Sequence, residues 1–149
     1  MRGIVQRVQQ GRVWVNDKIV GKIEKRLVIF LAITSSDTEK DLEYILEKTL
    51  GLRVFSDEQD KMNLSLMDVR EELLVISQFT LYGDVRKGKR PNFTASAGVE
   101  QAMKFYSMFI QKAREKGIKT ETGMFGEHMK VEILNDGPVT IQIDSTKLY

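Results

Sequence analysis

The chain has 149 residues, 42% of them apolar and 30% charged, with 11 Gly and 2 Pro, which describes one folded domain over residues 1–149 and excludes a disordered or collagen-like chain. A net charge of +2 leaves any attraction to nucleic acid to local clusters. With no cysteine and a single histidine, disulfides, thiolate metal sites and a multi-His site are excluded, so neither a metal nor a cofactor is expected.

Met1 to Gln10 alternates apolar and polar residues and does not read as a secretory signal, so a cytoplasmic location is expected. Ile4 to Val8 and Val13 to Val15 have strand periodicity, and a turn at Asn16-Asp17-Lys18 returns the chain through Ile19 to Ile23. Leu27 to Ile33 is the longest apolar run. It is about a third of the roughly 20 residues needed to span a bilayer, and reads as a buried strand.

Ser36-Asp37-Thr38-Glu39 has the spacing of a helix-capping box. Leu42, Ile45, Leu46, Thr49 and Leu50 follow at helical spacing, with Gly51 placed for a left-handed end. Leu52 to Phe55 and Leu73 to Ser77 are short β-rich runs around a polar loop at Ser56 to Lys61. A second helix is expected from about Val99 to Lys116, ended by Gly117, with Ala102, Phe105, Tyr106, Phe109 and Ile110 on one face. Met129, Val131 and Ile133, then Val139, Ile141 and Ile143, alternate with polar neighbours as two further strands. The expected class is α+β, with largely antiparallel β-sheets and two helices.

Three features imitate chemistry. Gly83 to Lys89 fits the first seven positions of a phosphate-binding P-loop, but the eighth, which must carry a hydroxyl for magnesium, is Arg90. Asp57, Glu58 and Asp60 lack the glycine turn and distal glutamate of a calcium loop. His128, the one imidazole, stands beside Glu127 and Lys130 and fits a surface position better than a catalytic base.

Three segments carry more information. Ser77-Gln78-Phe79-Thr80-Leu81-Tyr82 crowds hydroxyl and amide groups where a strand gives way to a loop, and there main-chain N–H groups without ladder partners can bind an oxyanion; an edge strand is the plainer alternative. Asn135-Asp136-Gly137-Pro138-Val139-Thr140 separates two β patterns and reads as a turn. A cis Gly-Pro bond there would turn successive carbonyl oxygens to similar directions, a rigid pair able to hold an ammonium group. Arg86, Lys87, Lys89 and Arg90 face only Asp84, and Lys104, Lys112, Arg114, Lys116 and Lys119 face only Glu115. Both runs suggest a phosphate-bearing partner, or else solvated faces.

Several segments in order resemble the D-aminoacyl-tRNA deacylase family: Met1-Arg2 with Val5-Gln6-Arg7-Val8, Leu52-Arg53-Val54-Phe55, Lys61-Met62-Asn63, Ser77-Gln78-Phe79-Thr80-Leu81, Lys87 to Phe93, Gly123-Met124-Phe125-Gly126 and Asn135 to Thr140. The resemblance implies a barrel-like core in an obligate-type homodimer, each site combining the Ser77 to Thr80 segment of one subunit with a cis Gly137-Pro138 tip from the other. It implies hydrolysis of the ester joining a D-amino acid to the 3′-terminal adenosine of tRNA, with glycine mischarged on tRNA-Ala also accepted. Phe125 would contact the adenine and Met129 line the pocket. Glu127 departs from the family's usual Ala, and Glu24-Lys25-Arg26 from a glycine-containing turn.

The implied partners are tRNA and a second copy of the chain, with no membrane and no DNA. Thr80 is the obvious nucleophile candidate, but no histidine, lysine or cysteine in its motif would activate it. The expected roles are therefore oxyanion binding by the Phe79 and Thr80 N–H groups, supported by Ser77 and Gln78. Chirality would be read at Gly137 and Pro138, and tRNA phosphates would be met by Arg86, Lys87, Lys89 and Arg90. The rival readings are a general esterase and a non-catalytic tRNA-binding module.

Overall fold

The computed structural model describes residues 1–149. Strand β1 (Arg2–Val15) is long enough to serve as a hub. It pairs antiparallel with β2 (Lys18–Ile23), β3 (Arg26–Ala32) and β8 (Lys130–Asp144). The β1–β2 turn has Asn16 and Asp17 at φ 48° and 60°, the left-handed pair that matches the twist of a two-residue hairpin.

Beyond β3 the sheet continues in parallel through β6 (Glu72–Ser77) to β7 (Lys119–Thr122). Parallel neighbours need long crossovers. The connection from β3 to β6 contains helix α1 (Glu39–Gly51), the small hairpin β4–β5 (Phe55–Ser56, Met62–Leu64) and the one-turn helix α2 (Leu66–Val69). The connection from β6 to β7 contains α3 (Val99–Glu115). The sheet then curls nearly shut, bringing β2 against β7. A Cβ on Gly21 would lie 2.2 Å from the Thr122 carbonyl oxygen, so only glycine permits the approach.

Strands β3 and β6 are buried on both faces. Leu27, Ile29, Leu31, Leu73 and Val75 meet Leu42, Ile45, Leu46, Phe105 and Phe109 of the helices. Val28, Leu74 and Ile76 meet Val8, Val13 and Ile23 inside the barrel. Burial on both sides explains why these segments read as unbroken apolar runs and not as alternating ones.

Four expectations are corrected. Thr38, not Ser36, caps α1: the Asp41 carboxylate accepts from the Thr38 N–H at 2.8 Å and its hydroxyl at 2.7 Å. Asp37 is instead buried, accepting from the Thr34 N–H at 2.8 Å and the terminal ammonium of Met1 at 2.5 Å. Gly51 is the last helical residue and the chain leaves through Leu52 at φ −59°, whereas Gly117 takes the expected left-handed φ of 83° after α3. Helix α2 adds to the two expected helices, because a single turn capped by Ser65 and Asp68 is too short to show periodicity.

The fourth correction concerns Asn135 to Thr140, which does not end a strand. On β1, Gln6 pairs with Thr140 and Val8 with Asn135, so four residues of β8 bulge out opposite Arg7 alone.

Candidate active site

The main concavity, about 580 Å³, opens where β3 and β6 end. Leu31, Ile33, Ile76 and Val131 give it an apolar floor, and Ser77, Gln78, Phe79, Phe125 and Met129 all line it. Five of the residues singled out from the sequence therefore come together in one chain.

Past Ser77 the ladder stops after Gln78 N–H donates to the Leu31 carbonyl at 2.9 Å, and Phe79–Tyr82 winds into one 3₁₀ turn. That turn takes its bonds from Leu81 and Gly83 N–H. The N–H groups of Phe79 and Thr80 have no acceptor in the protein, as expected of the first donors of a turn. The Thr80 hydroxyl accepts from the Gln78 amide and touches neither an imidazole nor an amine.

The turn is held from behind. Arg2 donates to the Leu81 carbonyl at 3.0 Å and its guanidinium lies 4.5 Å from the centre of the Tyr82 ring. Asp144 fixes Arg2 at 2.8 Å. Burial pushes the Asp144 carboxyl up, but bonds from Thr146 and Arg2 outweigh it and leave it below the ordinary value. Phe79 is 55% exposed and meets Phe93 edge-on at 5.1 Å, and its carbonyl accepts from the Ser96 hydroxyl at 3.1 Å. On the opposite wall Phe125 packs against Tyr106 at 5.6 Å. The Tyr106 hydroxyl donates to the Val75 carbonyl at 2.8 Å, and burial raises its pKa.

Gly137 and Pro138 are not in this cavity. Their peptide bond is cis, and they form the exposed end of the β8 bulge. Arg7, opposite the bulge, pairs with Leu27, whereas the cavity floor begins at Leu31. Four residues of strand amount to about 13 Å, so one chain does not bring its own tip to its own cavity.

The tip is tightly braced. Asn135 accepts from the Val139 N–H at 2.9 Å and donates back to the Val139 carbonyl at 3.1 Å. Arg7 donates to the carbonyls of Asp136 at 3.2 Å and Val54 at 2.5 Å. Sequence reasoning missed both braces. Arg7 lies in the Val5-Gln6-Arg7-Val8 segment, yet nothing local marks it as a clamp.

Of the two basic runs, the first has one cation paired with a carboxylate and the second has two. Arg86 is committed to Asp84 through two bonds of 2.7 and 2.9 Å, which hold the Asp84 carboxyl down at about 2. Lys87, Lys89 and Arg90 are exposed and without acidic partners. On α3, Lys112 pairs with Glu43 at 2.5 Å and Arg114 donates to the Thr120 carbonyl at 2.8 Å, while Lys119 at the start of β7 pairs with Glu72. Two of that run's five cations are thus neutralised by other elements. His128 is exposed at the cavity rim, with no carboxylate behind it.

A profile of the family described as D-Tyr-tRNA(Tyr) deacylase matches residues 4–144. The chain belongs to that family. It is 56% identical to a D-aminoacyl-tRNA deacylase of Clostridium botulinum, strain Alaska E43, and 51% identical to one of Thermotoga petrophila, each alignment covering 100% of both chains. Among solved structures it superposes on one titled c-Myc DNA Unwinding Element Binding Protein at a TM-score of 0.92 and 40% identity, covering 97% of this chain and 98% of that one. A probable eukaryotic D-amino acid tRNA deacylase, 21% identical, shares the fold at a TM-score of 0.83, covering 96% of this chain and 98% of that one. The barrel-like sheet with its flanking helices is thus the family's fold. No helix of the chain is long and apolar enough to cross a membrane.

Proposed function

We propose that the protein hydrolyses the ester of D-aminoacyl-tRNA, releasing the D-amino acid and tRNA. Family membership supports the coarse statement that it is a D-aminoacyl-tRNA deacylase. The observation that carries the chemistry is the pair of unspent N–H groups at Phe79 and Thr80, beside a cavity whose floor is apolar.

An aminoacyl ester is already activated, so placing the carbonyl and receiving its developing negative charge does most of the work. The Phe79 and Thr80 N–H groups take that charge. Ser77 and Gln78 shape the site, with the Gln78 amide holding the Thr80 hydroxyl. Water attacks the carbonyl carbon, helped by the neighbouring ribose 2′-hydroxyl of the substrate. The ester C–O bond breaks, and the proton ends on the departing 3′-oxygen. Phe125 and Met129 hold the terminal adenosine, while Lys87, Lys89 and Arg90 meet tRNA phosphates.

Chirality is read by a second copy of the chain. Its Gly137–Pro138 tip enters the cavity and offers carbonyl oxygens to the substrate's α-ammonium. An L side chain then collides with the tip, a D side chain points away, and glycine, mischarged on tRNA-Ala, passes. A clash against the wrong hand discriminates more strongly than a missing contact would. The separation of tip and cavity within one chain supports this reading.

Incubation with D-tyrosyl-tRNA and L-tyrosyl-tRNA tests it. Loss of the D ester alone is expected, from a species sedimenting as a dimer. Equal loss of both, or cleavage of small esters lacking tRNA, would indicate a general esterase. Binding without ester loss would leave a tRNA-binding module.

A further inference from the structure

A second hollow of about 210 Å³ adjoins the main cavity, lined by Trp14, Asn16, Asp17, Glu127, His128 and Lys130. Glu127 and His128 form a wall common to both. The hollow is smaller than the roughly 300–1,000 Å³ of a whole small-molecule site, which suits an extension of the first cavity. Its placement follows from the sheet: Trp14 pairs with Lys130 across β1 and β8, one residue beyond Met129 in the main cavity.

The lining groups are uncommitted. The Trp14 indole, Asn16 amide, Glu127 carboxylate and His128 imidazole make no side-chain hydrogen bond or ion pair within the protein. Lys130 is spent on Asp17 at 2.8 Å. The hollow thus carries a surplus carboxylate beside a half-buried indole and an exposed imidazole. A phosphate would be repelled. A flat base with an exocyclic amino group fits, its face on an aromatic ring and its amino group on the carboxylate.

We propose that this hollow binds the base of the penultimate nucleotide of the substrate, the cytidine that precedes the terminal adenosine in every mature tRNA. The inference rests on the deacylase reading, in which the main cavity takes that adenosine. Glu127 accepts from the cytosine amino group, and Trp14 with His128 provides the stacking surface. Uracil, which presents an oxygen at the same position, would face the carboxylate and be disfavoured.

The single tryptophan reports binding without catalysis. The dinucleotide CpA is expected to quench Trp14 fluorescence about tenfold more tightly than UpA or adenosine, a factor in line with one base–aromatic stack. In Glu127→Gln, whose amide can accept or donate, the CpA-to-UpA ratio should fall towards one. In hydrolysis, D-tyrosyl-tRNA ending in UA should show a KM raised by a similar factor with little change in kcat. By titration calorimetry, which needs no tryptophan, Trp14→Phe should keep most of the CpA affinity that Trp14→Ala loses. Equal binding of CpA and UpA by the unaltered protein, or a ratio unmoved in Glu127→Gln, would overturn the proposal. CpA preference without ester hydrolysis would support the hollow while removing the deacylase reading, so the two fail separately.

Discussion

The two segments that the proposed reaction needs, Ser77–Tyr82 and Asn135–Val139, are built on opposite plans. The first keeps its Phe79 and Thr80 N–H groups unspent and exposes those two residues. The second ties its main chain down, through Asn135 from within and Arg7 from across the sheet. A surface that must accept developing charge keeps donors free, and a surface that must reject by collision cannot yield. Rigidity and availability are thus divided between two places, which one chain keeps about four strand residues apart.

The largest test stiffens the rigid side wrongly. Gly137 sits at φ 132°, and a Cβ there would lie 2.9 Å from Val139 Cγ2 and 3.1 Å from the Arg7 guanidinium. Gly137→Ala should cost about 100-fold in kcat/KM on D-tyrosyl-tRNA, the scale of a 1 Å misplacement, with near-native thermal unfolding. Unchanged activity and stereoselectivity would show that the tip is not the filter. Arg7→Ala, which removes two hydrogen bonds to main-chain carbonyls, should cost about tenfold and raise the rate on L-tyrosyl-tRNA relative to D.

On the open side, Thr80→Ala should retain activity within about tenfold, because its N–H remains and its hydroxyl has no base. Loss of all activity with native folding would instead make Thr80 the nucleophile. The smallest effect lies further along the same segment. Replacing Lys87, Lys89 and Arg90 by Ala should raise KM and flatten its salt dependence, by about 0.7–0.9 in log–log slope for each phosphate no longer neutralised. Replacing Lys112 and Lys119 should leave that slope alone, since Glu43 and Glu72 already neutralise them.

What was legible follows the range of the interaction concerned. The runs Leu27 to Ile33 and Leu73 to Ser77 announce doubly buried strands, and the Phe105, Phe109 and Ile110 stripe announces α3, because burial writes itself into local pattern. The gathering of Ser77, Gln78, Phe79, Phe125 and Met129 at one cavity was readable through motifs the chain shares with its family. The bracing of the tip was not, since Arg7 and Asp136 are 129 residues apart. Nor was the pairing of Lys112 and Lys119, whose partners Glu43 and Glu72 lie on other elements. The parallel pairing of β3, β6 and β7 was hidden for the same reason, as register between distant segments leaves no mark in either one.

The bulge in β8 carries one more consequence. The strand resumes its pairing with β1 on both flanks, at Asn135 and at Thr140, and the excursion absorbs the change of register between them. It behaves as a cassette. A shorter connection grafted between those two anchor points should leave the scaffold standing, and longer ones could be tried at the same place. If the tip is the chiral filter proposed above, its selectivity is therefore open to redesign without rebuilding the architecture that presents it.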